Sequence, residues 1–193
     1  MSNVKDFLAK VNQYKGLASP NRVRTDISGP TILGAGGILR DLSAFCPISA
    51  LPGVHLDNET VRHAGIGKTE QRPVDIQYNS IGMQFFCDNE GKVLEYFHKW
   101  LDLVVDSKDG SSNMDLFSFP DDYIGTVEIE AHNIMGTSVK KYTLLRAHPV
   151  SIEDVITAWD MTDTLLMLPV TFTYYNWEST SSRPSPGTTT FQG

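Results

Sequence analysis

One segment near the C-terminus, WDMTDTLLMLPVTFTYYNWE, constrains the fold more than any other part of the chain. From Leu166 to Trp177, its alternate positions form two faces without a charge, one aliphatic and aromatic, the other made of Met, Thr, Tyr and Trp. At roughly 3.3 Å per residue, a single strand of this kind spans about 40 Å, about twice the usual length. A long edge strand without charges aggregates unless something covers it. The sequence therefore predicts an intersubunit strand edge that other copies of the chain cover, formed by Leu168, Val170, Thr171, Phe172, Thr173, Tyr175 and Trp177.

Length and composition predict one soluble globular domain. The chain has 193 residues, 40% hydrophobic and 20% charged, and we place the domain at residues 1–178. Residues 179–193 are rich in Ser, Thr, Pro and Gly and are expected to form a C-terminal extension without a core. The net charge of −7 argues against binding nucleic acid by neutralising phosphates. The sequence opens without a signal peptide and has no long apolar run, which predicts synthesis in the cytoplasm and no membrane span.

Apolar spacing predicts many strands and few helices. A short helix is expected from Val4 to Tyr14, and one long helix is expected after Asp88 or Asn89, with a buried stripe that ends near Val104. The strand candidates are NRVRTDI, DLSAFCPI, VDIQYNSIGMQFFCD and the hairpin of DYIGTVEIEAHN with SVKKYTLLRAHPV. The Gly-rich segment 27–39 is expected to be a loop. These elements predict a mainly β protein, an antiparallel β-sandwich or barrel with one packed α-helix and a short N-terminal helix.

Fragments of enzyme motifs occur, and none is complete. The sequence GIGKT resembles the end of a phosphate-binding loop, but Arg62 stands where that loop needs its first glycine. The five histidines follow no HExxH or Cys-His pattern, and no serine lies in a GxSxG elbow. Cys46 and Cys87 lie in apolar contexts that favour buried core residues. We therefore predict no catalytic, cofactor-binding or metal-binding residues and no enzymatic activity.

The order and spacing of the elements resemble the tail tube protein of contractile-tailed bacteriophages. The resemblance runs from about Phe7 to Glu178. It is carried by the ALPG turn at 50–53, the strand-to-helix passage that ends in Trp100, and the closing pattern over 149–178. The Gly-rich insertion and the C-terminal extension depart from the family pattern.

This resemblance implies a structural virion protein. Such proteins form hexameric rings whose sheets join neighbouring subunits into a ring-shaped barrel, and the rings stack into the inner tail tube inside a contractile sheath. The implied partners are other copies of the chain, the sheath, baseplate, tail-terminator and tape measure proteins, and DNA that passes through the lumen without specific binding. The resemblance also implies an inter-ring arm, which maps to Leu51, Pro52, Gly53, Asn58, Glu59, Arg62 and Lys68 and which the turn-rich sequence predicts to be an extended loop or hairpin.

A conduit for DNA must not hold it, because each Lys or Arg that pairs with a phosphate adds affinity. We therefore expect a neutral or negative lumen. Glu128 and Glu130, on one face of their strand, are the candidates to line it, with a solvated outer face as the alternative.

Two other interpretations stay open. A tube-initiator or baseplate tube subunit, or the tube of a related contractile secretion or ejection system, would share the fold. A monomeric carbohydrate-binding β-sandwich would instead use Tyr174, Tyr175 and Trp177 on an exposed face.

Overall fold

In the part of the chain that the structure describes, the fold is built on one antiparallel sheet of seven strands, with two separate two-stranded sheets. The computed structural model describes residues 4–13, 22–34, 38–62, 69–106, 116–155 and 165–181. The helical elements are α1 (Val4–Gln13), a 3₁₀ turn (Thr31–Leu33), α2 (Ile38–Phe45), α3 (Lys92–Val104) and the single turn α4 (Pro120–Tyr123). The strands are β1 (Val23–Ser28), β2 (Ile48–Ser49), β3 (Val54–Arg62), β4 (Thr69–Tyr78), β5 (Ile81–Phe86), β6 (Val105–Asp106), β7 (Leu116–Phe117), β8 (Gly125–His132), β9 (Ser138–Ile152), β10 (Met167–Thr173) and β11 (Asn176–Ser181).

The long strand β9 divides the sheet into two halves. Its residues 138–147 pair with β8 on one side, and residues 140–145 pair with β11 on the other. Its residues 148–152 pair with β10, which is followed by β5 and β2. Arg146, at the junction, has a φ of 55°, a left-handed conformation that costs a non-glycine residue about 1–2 kcal/mol. We call β1, β8, the first part of β9 and β11 the first half-sheet, and the last part of β9, β10, β5 and β2 the second half-sheet.

The helix α3 packs one face against the sheet and fills the core. Its residues Val93, Phe97 and Trp100 are fully buried, as is Phe172 of β10. The rings of Phe97 and Trp100 contact that of Phe172 edge-on, with centroids 6.1 and 5.9 Å apart. The indole N–H of Trp100 donates to the carbonyl of Tyr123 at 2.7 Å, which ties α3 to the start of β8. The amphipathic stripe predicted from sequence is confirmed.

The start of α3 shows how its N-terminus is capped. Gly91 is the N-cap residue and has a left-handed φ of 71°. The carboxylate of Asp88, three residues before the N-cap, accepts a hydrogen bond from the backbone N–H of Val93 at 3.0 Å, which satisfies one helical donor. This hydrogen bond is the main reason why the pKa of Asp88 is lowered.

The hairpin of β8 and β9 is also confirmed. Its turn is held by the Asn133 side chain, which accepts the N–H groups of Met135 at 2.9 Å and Thr137 at 3.0 Å. Gly136 supplies the positive φ of 75° that the turn requires. The expected mainly β fold with one packed helix and a short N-terminal helix is thus present.

Four element predictions are wrong. The segment 27–39, expected to be a loop, contains the end of β1, the 3₁₀ turn and the start of α2. The segment VDIQYNSIGMQFFCD, expected to be one strand, is divided between β4 and β5, which lie in different sheets. DLSAFCPI was expected to be a strand, but most of it lies in α2, and only Ile48–Ser49 forms a strand. Its residues Leu42 and Phe45 are three positions apart, which fits one face of a helix, and Leu42 is fully buried. The long C-terminal strand is broken at Tyr174 and Tyr175 into β10 and β11, which pair with different parts of β9. Residues 107–115, whose polar sequence predicts a loop, and residues 156–164 lie outside the described residues.

Candidate assembly surfaces

The strand β11 has a hydrogen-bonded neighbour on one side only. It pairs with β9 from Asn176↔Leu145 to Ser181↔Lys140, and no described strand lies along its other side. Pairing up to Ser181 means that the sheet continues past Glu178, the predicted domain end. Within the described residues, the outer side of β11 therefore has backbone donors and acceptors that no strand pairs with.

Most residues predicted to form the intersubunit edge lie in an interior strand instead. β10 has β5 on one side and β9 on the other, so Leu168, Val170, Thr171, Phe172 and Thr173 are not at an edge. The edge prediction is wrong for them because an uncharged two-sided pattern fits a strand flanked within its own sheet equally well.

The two remaining residues of that prediction lie near the outer strand. Tyr175, at the corner between β10 and β11, is 75% exposed and donates its N–H to the carbonyl of Leu145 at 3.1 Å. Trp177 lies in β11, and its ring contacts that of Tyr142 with centroids 5.5 Å apart. The candidate edge is therefore β11 itself, residues 176–181.

The strand β1 is the outer strand on the opposite side of the first half-sheet. Among the strands that the structure describes, it pairs only with β8, from Val23↔Ala131 to Ser28↔Thr126. Each neighbouring pair in this half-sheet is antiparallel, so β1 and β9 run one way while β8 and β11 run the other. The two outer strands of the first half-sheet therefore run in opposite directions.

The first half-sheet has one buried face and one polar face. Val127 and Ile129 of β8 are fully buried, so the alternating positions point away from the core. Strand register places cross-strand partners on the same face, where four carboxylates and two cations give a net charge of about −2 per copy. These residues are Arg24, Asp26, Glu128, Glu130, Lys141 and Glu178.

Lys141 lies between the two predicted lumen residues. Its ammonium nitrogen is 2.7 Å from a carboxylate oxygen of Glu128 and 3.8 Å from one of Glu130. Hydrogen bonding to Glu128 is the main cause that raises the pKa of Lys141, and the charges of Glu128, Glu130 and Asp26 add to it. Lys141 therefore stays protonated at neutral pH, and its charge is balanced within its own chain.

The predicted arm is a long β-hairpin of β3 and β4. Strand pairing extends from Val54↔Tyr78 to Arg62↔Thr69, with a bulge after Asp57. Nearly every residue of the hairpin is exposed. Leu51, Pro52 and Gly53 lead into it, Asn58, Glu59 and Arg62 lie in β3, and Lys68 lies outside the described residues. The expectation of a hairpin arm is confirmed.

The two faces of the arm differ in chemistry. Val54, Leu56 and Ile76 are 50%, 46% and 53% exposed and share one face by register. On the other face, Asp57 accepts a hydrogen bond from Gln77 and lies 3.4 Å from His55. An arm with an exposed apolar face is typical of a segment that another surface covers.

In the described part of the chain, no other residues complete the fragments of enzyme motifs. The glycines and lysine of GIGKT lie outside it, and no group of three or more His, Cys, Asp or Glu residues there could hold a metal ion. Burial raises the pKa of the Cys46 thiol to about 11, so the nucleophilic thiolate is disfavoured. Among the described helices, none has the length and apolar character to cross a bilayer.

Comparison with known proteins shows which family and which solved structures this chain is similar to. The family model for phage tail tube protein matches residues 10–180. A chain in the cryo-EM structure of the anti-feeding prophage (AFP) baseplate is similar at 14% identity, with a TM-score of 0.61 and coverage of 86% of this chain and 97% of that chain. A chain of the PVC sheath–tube complex, from an extracellular contractile injection system in the extended state, is similar at 11% identity, with a TM-score of 0.60 and coverage of 90% and 97%. No curated protein matches the chain.

The fold is therefore one that chains of contractile injection assemblies also adopt. Because the family match spans most of the sequence, the protein belongs to the phage tail tube protein family. It is a structural tube subunit, and its place is in a phage tail or phage-like particle.

Proposed function

We propose that six copies of this chain form a ring in which β11 of each copy pairs with β1 of its neighbour. The rings stack into the inner tail tube, a conduit for DNA inside a contractile sheath. The observation that carries this proposal is the pair of outer strands on the two sides of the first half-sheet, each paired on one side only among the described strands.

The strand directions support this pairing. Rotation about a ring axis keeps the direction of each strand relative to that axis, so β11 of one copy meets β1 of the next antiparallel. The joint then has the same antiparallel pattern as the rest of the half-sheet. Closure of the ring also covers both edges, which would otherwise be open to uncontrolled pairing.

The polar face of the first half-sheet then lines the lumen. The opposite face packs on the core, so only the face with Glu128, Glu130 and Lys141 is available to a central channel. A wall with a net negative charge repels a polyanion and lets it pass without being held.

The β3–β4 arm reaches the next ring in this arrangement. Leu51 to Gly53 form its base, and its exposed apolar face is covered there by another copy. The tube domain extends to the end of β11 at Ser181, three residues beyond the end predicted from the sequence, and the residues that follow act as an appendage. The chain is made in the host cytoplasm and has no enzymatic role. The sheath, baseplate, terminator and tape measure proteins are the proposed partners, because similarly folded chains occur in sheath–tube, baseplate and sheath/tube terminator structures.

Electron microscopy of the purified protein tests the assembly. Tubes of uniform bore are expected for a tube subunit, and single rings for a tube initiator. A monomer at all protein concentrations would contradict ring formation and would favour a monomeric binding module.

A pair of proline variants tests the β11 joint. Along a strand, successive N–H groups point to opposite sides, so one of Ser179 and Thr180 donates towards β9 and the other away from it. Of Ser179→Pro and Thr180→Pro, one should lower the melting temperature, and the other should keep it while abolishing rings. Normal rings from both variants would exclude β11 as the joint.

The lumen assignment has a separate test. Changing Glu128 and Glu130 to Lys should make assembled tubes bind DNA, with an affinity that falls steeply with salt. Changing two exposed residues away from this face to Lys, Glu90 just before α3 and Glu95 in its first turn, is the matched control. Equal DNA binding by both variants would place Glu128 and Glu130 outside the lumen.

A further inference from the structure

A basic cleft opens at the end of the first half-sheet where β8 finishes. It has a volume of about 400 Å³, and its lining includes Arg22, Arg24, His132, Val23 and Ile134. A volume in the range of small-molecule pockets, roughly 300–1,000 Å³, accommodates a large side chain of another molecule. The lining thus combines basic groups with apolar surface.

Among the basic residues of the cleft, Arg22 is the one whose charge is not paired with a carboxylate of the described residues. Arg24 is 3.1 Å from Asp26, and His132 is 3.7 Å from Glu130, so the carboxylates of the same face occupy both. Arg22 makes no ion pair with any residue that the structure describes. Ile134, at the rim, is 74% exposed.

An acidic and aromatic projection lies at the other end of β8. Phe117 and Phe119 are 78% and 81% exposed, and α4 follows with Asp121 and Asp122. Asp121 lies 3.5 Å from Arg146, whereas Asp122 makes no ion pair within the described residues. Two exposed aromatic rings on one short segment are typical of anchor residues at interfaces. We call residues 117–122 the knob.

The knob and the cleft of one copy cannot meet. The knob ends shortly before Gly125, the first residue of β8, and the cleft is built around His132, the last residue of that eight-residue strand. At roughly 3.3 Å per residue, the two surfaces are about 25 Å apart along the strand. Any contact between them must therefore join two molecules.

We propose that the knob of one copy occupies the cleft of a copy in the next ring. The chemistry is complementary: the aromatic rings of the knob meet the apolar rim around Ile134, and Asp122 meets Arg22. This contact is heterologous, with different surfaces on its two sides, so it repeats from ring to ring without closing. The inference rests on the proposed ring, in which neighbours meet along strand edges and the strand ends face the adjacent ring.

Charge reversal tests the contact. Arg22→Glu and Asp122→Arg each bring like charges together, and each should raise the protein concentration needed for tubes about tenfold or more while single rings persist. The double variant restores opposite charges and should restore tubes. Arg22→Lys and Asp122→Glu keep the charges and serve as controls.

Cysteine cross-linking gives an independent measurement. The double variant Phe119→Cys with Ile134→Cys should give a ladder of linked chains on mild oxidation, while each single variant should give none. The knob-to-cleft contact would be overturned if both charge-reversal variants formed normal tubes. It would also be overturned if the double cysteine variant formed tubes but gave no ladder. Neither result would contradict the proposed ring. A wild-type chain without rings would instead overturn the proposed function, and this inference with it.

Discussion

Replacing Gly125 with alanine is expected to destabilise the protein and to disturb its outer strand. A Cβ atom at this position would stand 2.4 Å from the carbonyl oxygen of Ser28 and 2.9 Å from the ring of Trp100. Neither neighbour can give way easily, because Ser28 contributes backbone and the indole is fully buried and hydrogen-bonded to Tyr123. The added methyl group must therefore push β1 away from β8.

The size of the effect follows from the crowding. Overpacked core positions cost about 1–3 kcal/mol, and two rigid neighbours place Gly125→Ala at about 2–3 kcal/mol. For a chain of this size, each kcal/mol lowers the melting temperature by about 2–4 °C, so a loss of about 4–12 °C is expected. Thermal unfolding followed by circular dichroism at a concentration below assembly measures it. Since β1 is one side of the proposed joint, ring formation should weaken as well.

Gly82→Ala is the matched control. Gly82 lies in β5, where a methyl group would have no heavy atom within 4 Å, and its φ is not positive. Alanine there should raise stability by roughly 0.5–1 kcal/mol, because glycine loses more backbone entropy on folding. If Gly125→Ala unfolded at or above the temperature of Gly82→Ala, the packing argument around Trp100 would be refuted.

Three further changes have defined outcomes. Arg146→Gly should stabilise the monomer by up to about 1 kcal/mol in denaturant unfolding, because glycine adopts a φ of 55° without strain; a loss of stability would show that the side chain matters more. Trp100→Phe should lower stability by about 1–3 kcal/mol, since the partly buried carbonyl of Tyr123 loses its donor; an unchanged melting curve would contradict this. At pH 8, Cys46, with its pKa of about 11, should react with a thiol reagent much more slowly in native than in unfolded protein, and equal rates would disprove its burial.

Local patterns were enough to predict some elements and not others. The stripe through Trp100 and the turn at Gly136 depend on neighbours in sequence, so both were predictable. Leu42 was misassigned because a short apolar run fits a strand and a buried helix alike. The left-handed conformation of Arg146 could not be predicted from the sequence, because nothing in the residue type demands it.

The candidate surfaces divide in the same way. The turn residues of the arm predict a hairpin, and the alternation around Glu128 and Glu130 places both side chains on one face of a strand. Both patterns are local, so the sequence was enough to predict them. Five of the seven predicted edge residues lie in the interior strand β10, and only Trp177 lies in the outer strand β11, because strand order depends on pairings distant in sequence. The knob was missed as well, although FSFPDD carries its signal: two aromatic residues on alternate positions beside two acids.

The position of Lys141 has a consequence for any polyanion that meets this face. Its ammonium is already engaged by Glu128 and Glu130, which are tethered to the same sheet and cannot diffuse away. A phosphate must compete with ligands whose effective concentration is on the order of millimolar or higher, so this lysine is masked before DNA arrives. Lys141 can thus join two strands through its ion pairs and still bind little to a polyanion that moves along this surface.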